Sequence, residues 1–184
     1  RTWIAMKNNV MIALFVIFLL LTVLMRSFIL PFVIVITVPV AAAGGVMGLV
    51  ILNQFSSQSM DMLTMLGFII LTGIVVNNSI LMVEQTLWHI RYDSFSISDA
   101  ITEATRNRIR PIFMSTLTSL FGLIPLVIFP GAGSELYRGI GTVVFGGLST
   151  SAILTLLMVP PLLALALKFE KIKPIPQVKQ EEFV

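Results

Sequence analysis

Asn77 and Asn78 stand side by side within Gly73-Ile74-Val75-Val76-Asn77-Asn78-Ser79-Ile80, where a lipid-facing helix would carry only hydrocarbon. Burying an unpaired amide costs on the order of several kcal/mol, so these side chains call for polar partners or water. Glu84 follows Asn77 by seven residues, two helical turns on the same face. A polar stripe from the amides to the end of that helix is one reading, and a carboxylate at the membrane interface is the other. Farther along, Arg108 and Arg110 precede the hydroxyls of Ser115, Thr116, Thr118 and Ser119, which begin one turn past Pro111. Hydroxyls can bond carbonyls of their own helix, so this cluster reads either as a polar path or as locally satisfied. Amides, hydroxyls and a carboxylate inside apolar segments are the functional candidates, because hydrocarbon offers them no partners. They form no nucleophile–base pair. The single histidine is His89, no glycine-rich nucleotide loop occurs, and the acidic residues are not grouped as metal ligands. The expectation is a protein that is no enzyme and needs no cofactor.

The segments carrying these groups are membrane spans. Of the 184 residues 57% are hydrophobic and 11% charged, more apolar surface than a soluble domain of this size hides in one core. Apolar runs at 10–25, 32–53, 62–83, 112–129 and 139–167 are each close to the ~20 residues that cross the hydrocarbon as a helix. Backbone groups in lipid must bond within the chain, and continuous rather than alternating runs exclude a barrel. The fold class is therefore all-α, a polytopic bundle of five transmembrane helices.

Nine of the twelve Lys and Arg (Arg26, Arg91, Arg106, Arg108, Arg110, Lys168, Lys171, Lys173, Lys179) fall on one side of such a bundle, leaving Arg1, Lys7 and Arg138 on the other. By the positive-inside rule the C-terminus is cytoplasmic and the N-terminus external. No basic stripe with interleaved aromatics suggests nucleic acid as a partner. Residues 1–9 read as the end of a periplasmic domain or linker, and 169–184 as a disordered cytoplasmic tail. The segment 88–110 is expected to hold a short amphipathic helix on the cytoplasmic membrane surface, capped by Ser98 or, as the weaker choice, Ser96. Small residues form candidate packing faces: Gly44 with Gly48, Ala41 with Gly45, and Gly139, Thr142, Gly146 and Thr150 along the last helix. Most prolines sit at run ends, while Pro39 and Pro125 lie inside runs and should bend them.

Three further stretches join the amide motif: Arg108-Ile109-Arg110-Pro111-Ile112-Phe113-Met114-Ser115-Thr116, Pro125 through Gly131-Ala132-Gly133, and Gly146-Gly147 with Val159-Pro160. In this order and spacing, over about residues 5–168, they resemble the last five transmembrane helices of the resistance-nodulation-division (RND) efflux permeases. The resemblance implies a twelve-helix permease in two repeated halves, of which this chain is the C-terminal membrane portion. It further implies proton-driven expulsion of drugs or other amphiphiles, taken from the periplasm or outer leaflet, by a homotrimer of the bacterial inner membrane working with a periplasmic adaptor and an outer-membrane channel. In that family the proton relay lies between the fourth and tenth helices, with two aspartates on the fourth, outside this chain. The relay positions here would be Asn77, Asn78, Arg108, Ser115 and Thr116. Asn77 departs from the pattern by replacing a lysine with an amide that can bond a carboxyl group but not neutralise it. Ser115 replaces a threonine and keeps the hydroxyl. A superfamily member moving lipids or assisting protein export, and a non-transporting helix bundle, are the alternatives.

Overall fold

A computed structural model describes residues 2–55, 60–129 and 134–169, with side chains from residue 8 in the first helix and from residue 137 in the last. The described residues form six helices: α1 (Thr2–Met25), α2 (Ile29–Val35), α3 (Thr37–Phe55), α4 (Met62–Tyr92), α5 (Ile97–Ile128) and α6 (Ser134–Phe169). Five helical stretches are long and apolar enough to span a membrane, with α2 and α3 together making one of them. The expected tail from residue 170 lies outside the described residues.

The helix boundaries depart from the sequence reading in four places. The first helix begins at Thr2 rather than residue 10, so residues 2–9, expected to end a periplasmic domain or linker, are helical and continuous with the first span. It stops where Arg26 takes a left-handed conformation (φ 51°), and the buried Ser27 hydroxyl then accepts the Ile29 and Leu30 N–H groups, each at 3.2 Å, to start α2. The second span breaks at Ile36, three residues before Pro39. Pro39 has no N–H to offer the carbonyl of Val35, and next to it the Thr37 hydroxyl donates to the Ile34 carbonyl at 2.6 Å. In α5 the helix passes through both Pro111 and Pro125 without interruption. Pro160 and Pro161 likewise lie inside α6, well before its end.

The expected surface helix of 88–110 is not a separate element. Residues up to Tyr92 complete α4, and from Ile97 onward the chain already belongs to α5. Ser96, not Ser98, is the N-cap: its hydroxyl accepts the Asp99 N–H at 3.2 Å and donates to the Asp99 carboxylate at 2.6 Å. Ala100, Ile101, Ala104, Ile112 and Thr116 keep one helical phase across Pro111, so one buried stripe holds the two parts together. At the other end of the connection, the buried His89 bonds Asp93 (Nδ1 to Oδ2, 2.7 Å) and stacks on Phe95, which closes α4.

The last helix is the centre of the bundle, packing against α2, α3, α4 and α5. Two apolar clusters divide the interior. One gathers Leu30, Ile34, Met82, Val83, Leu163 and neighbours, and the other gathers Ala41, Leu49, Leu71, Val75, Val143 and Leu148. Beside the first of them, the Thr37 and Ser79 hydroxyls bond across α3 and α4 at 3.1 Å. The α3 and α6 backbones approach each other closely at their glycines. A Cβ on Gly146 would lie 2.7 Å from the Gly44 carbonyl oxygen and 3.0 Å from the Gly48 Cα, and one on Gly44 would collide with Thr150. Gly139 is also buried on α6.

Candidate functional site

Along α4, Leu66, Ile70, Gly73, Asn77, Glu84 and Trp88 are exposed at helical spacing, while Leu71, Val75, Val76, Ser79, Met82 and Val83 are buried on the other side. The helix thus turns Asn77 out of the bundle and leaves its neighbour Asn78 half-buried. Among the described residues neither amide side chain forms a hydrogen bond, and Glu84 forms no ion pair. A Cβ placed on Gly73 would meet nothing within 4 Å, so this stripe of α4 is open one turn from Asn77.

On α5 the expected hydroxyl cluster divides. Ser115 is exposed and donates to the Ile112 carbonyl at 3.1 Å, and Thr118 is exposed and donates to the Met114 carbonyl at 2.8 Å. Both are satisfied within their own helix. Thr116, one residue from Ser115 and about 100° around the helix, is buried, and its hydroxyl has no partner among the described residues. Arg108, two turns earlier on the same packed side, is half-buried with its Nε equally unpartnered. The five expected relay residues therefore do not meet in one hydrogen-bonded cluster. Asn77 and Ser115 point outward, whereas Thr116 and the Arg108 Nε are enclosed.

The polar group that sequence reasoning overlooked is Asp61. Its carboxylate accepts the Thr64 N–H at 2.8 Å and the Thr64 hydroxyl at 2.7 Å, capping α4 at its start. These bonds, the hydroxyl's first, hold the Asp61 carboxyl below its ordinary pKa. The spacing Asp61-Met62-Leu63-Thr64 ahead of an apolar run was the available signal.

A polar stripe on the open side of one helix, in a bundle of five spans, suits a bundle that packs against further membrane helices. The family profile described as AcrB/AcrD/AcrF matches residues 5–166. The chain belongs to the AcrB/AcrD/AcrF family of RND efflux permeases. Among solved structures, a heavy metal efflux pump determined by X-ray crystallography is similar at a TM-score of 0.74 and 29% sequence identity, over 88% of this chain. The match spans only 16% of that pump's chain. The fold class, an all-α membrane bundle corresponding to part of an RND permease, agrees with both findings.

Proposed function

We propose that this chain forms the C-terminal membrane portion of a proton-driven RND efflux permease, with the open stripe of α4 from Leu66 to Asn77 seated against the N-terminal half of the same polypeptide. The observation that carries the reading is Asn77: an amide in the middle of a span, turned away from its own bundle and unpaired. Such a group is costly against lipid and useful against carboxyl groups of a facing helix. In the assembled permease Asn77 holds one of those carboxyls by hydrogen bonding, and Asn78, Arg108, Ser115 and Thr116 border the hydrated path beside it. The unpartnered Arg108 Nε and Thr116 hydroxyl support water in that region. The C-terminus is cytoplasmic and the N-terminus periplasmic, in line with the distribution of Lys and Arg. Homotrimer formation, an adaptor and an outer-membrane channel follow from the family.

Drugs or other amphiphiles are the proposed substrates. Heavy-metal ions are a second reading, favoured by the likeness to a heavy metal efflux pump. The deciding experiment compares full-length permease with its Asn77→Leu variant, in cells challenged with drugs or metal salts and in proteoliposomes monitored for proton flux. Leu leaves a buried carboxyl group without its partner, a loss of about 1–3 kcal/mol, enough to slow turnover by roughly tenfold or more while the bundle stays folded. Full flux in the Leu variant at matched expression removes Asn77 from the relay. The substrate that drives flux in the parent protein chooses between the two readings.

A further inference from the structure

The exposed stripe of α4 does not end at Asn77. Between the end of α1 and the second half of α4 lies a cavity of about 260 Å³, lined from Ile80 to Tyr92 along α4 and by Leu24 and Met25 of α1. It begins one turn past Asn77 and, over twelve residues, follows α4 for about 18 Å to the helix end. A water needs only about 10–15 Å³ of such space, so several fit in a row. Most of the wall is apolar, and only one carboxylate enters it, that of Glu84. Its side chain is exposed and makes no ion pair among the described residues. The charged or titratable groups sharing the cavity are Arg91 and Tyr92, both on α4 near the mouth, and α1 contributes none to the lining.

From this we infer that the α1–α4 cavity is a water-filled half-channel and that Glu84 is its proton-binding group, passing protons between the Asn77 region and the cytoplasmic side. The inference rests on the proton-driven reading above. The step is a plain transfer: the Glu84 carboxylate takes a proton from the water chain on its Asn77 side, and an O–H bond forms as one in hydronium breaks. It then returns that proton to water at the helix end. A carboxylate exchanges protons rapidly, which an amide such as Asn77 cannot do, so a path past Asn77 needs such a group downstream. Trp88 and Tyr92, with rings 5.7 Å apart, line the cavity between Glu84 and the end of α4.

The test uses full-length permease in proteoliposomes, with substrate-dependent proton flux read by an internal pH dye. Glu84→Gln is nearly isosteric and should assemble and melt as the parent does, yet carry at least about tenfold less flux, whereas Glu84→Asp should keep most of it. Independently of transport, a cysteine at Ile80 should react with a membrane-impermeant thiol reagent added from the cytoplasmic side. Parent-like flux in Glu84→Gln, or an unreactive cysteine at position 80, overturns the inference while leaving the proton-driven reading intact. A parent protein that moves no protons overturns that reading, and the inference falls with it.

Discussion

Replacing Gly146 with Ala sets two effects of opposite sign against each other, and the structure decides between them. Alanine is favoured over glycine inside a helix by about 1 kcal/mol. Against this, the new Cβ would lie 2.7 Å from the Gly44 carbonyl oxygen and 3.0 Å from the Gly48 Cα. Carbon–oxygen contacts between helices settle near ~3.3–3.6 Å, so α3 and α6 must part by more than half an ångström. Both obstructing atoms are backbone, and no side-chain rotation relieves them. Parting also loosens the contacts of Gly44 with Thr150 and of Gly48 with the Thr142 carbonyl. Overpacking of this kind costs about 1–3 kcal/mol. Gly73→Ala is the matched control, because it carries the same helical gain and meets nothing within 4 Å. Reversible unfolding of the 184-residue chain in mixed micelles, followed by helical circular dichroism, should rank Gly146→Ala below Gly73→Ala by about 1–3 kcal/mol. Equal stability of the two alanine variants would refute the claim that glycine is needed for the α3–α6 approach.

Thr37→Val removes a hydroxyl that bonds both the Ile34 carbonyl and Ser79 at the α2–α3 break; a loss of about 0.6–1.7 kcal/mol in the same unfolding assay is expected. Asp61→Ala should cost about 1 kcal/mol through loss of the α4 cap, and Asp61→Asn less. Because the folded Asp61 pKa is depressed, the ionised cap's contribution is present above the ordinary carboxylate range and fades as pH falls through the lower folded value, so the gap between Asp61 and its Ala variant should narrow only in strong acid.

The five spans were legible because lipid imposes one demand, length and apolarity with every backbone group bonded internally, and composition reports both directly. Breaks inside the spans follow finer rules. A proline announces a missing N–H, yet the chain breaks at Ile36, where the Thr37 hydroxyl donates to the Ile34 carbonyl, and not at Pro111, where the buried stripe keeps its phase on both sides. The continuing phase from Ile101 through Ile112 and Thr116 was present in the sequence and outweighs the proline.

The candidate site was legible by residue type and less so by arrangement. An amide pair inside a span marks a polar place, but which of two adjacent amides turns outward depends on how α4 is rotated against α3 and α6. That rotation is set by Leu71, Val75 and Gly67 packing under α6, where a Cβ on Gly67 would sit 3.1 Å from the Ile140 Cα. Ser115 and Thr116 show the same dependence: two hydroxyls equal in sequence terms, one satisfied at the surface and one enclosed without a partner. The enclosed orphan is the more informative of the two, since a buried hydroxyl left unbonded is costly while an exposed one is not. Function in this bundle is therefore best sought where a polar atom is both placed by packing and left unpaired among the described residues: Asn77 on the open stripe, Glu84 in its cavity, and the Arg108 and Thr116 atoms of α5.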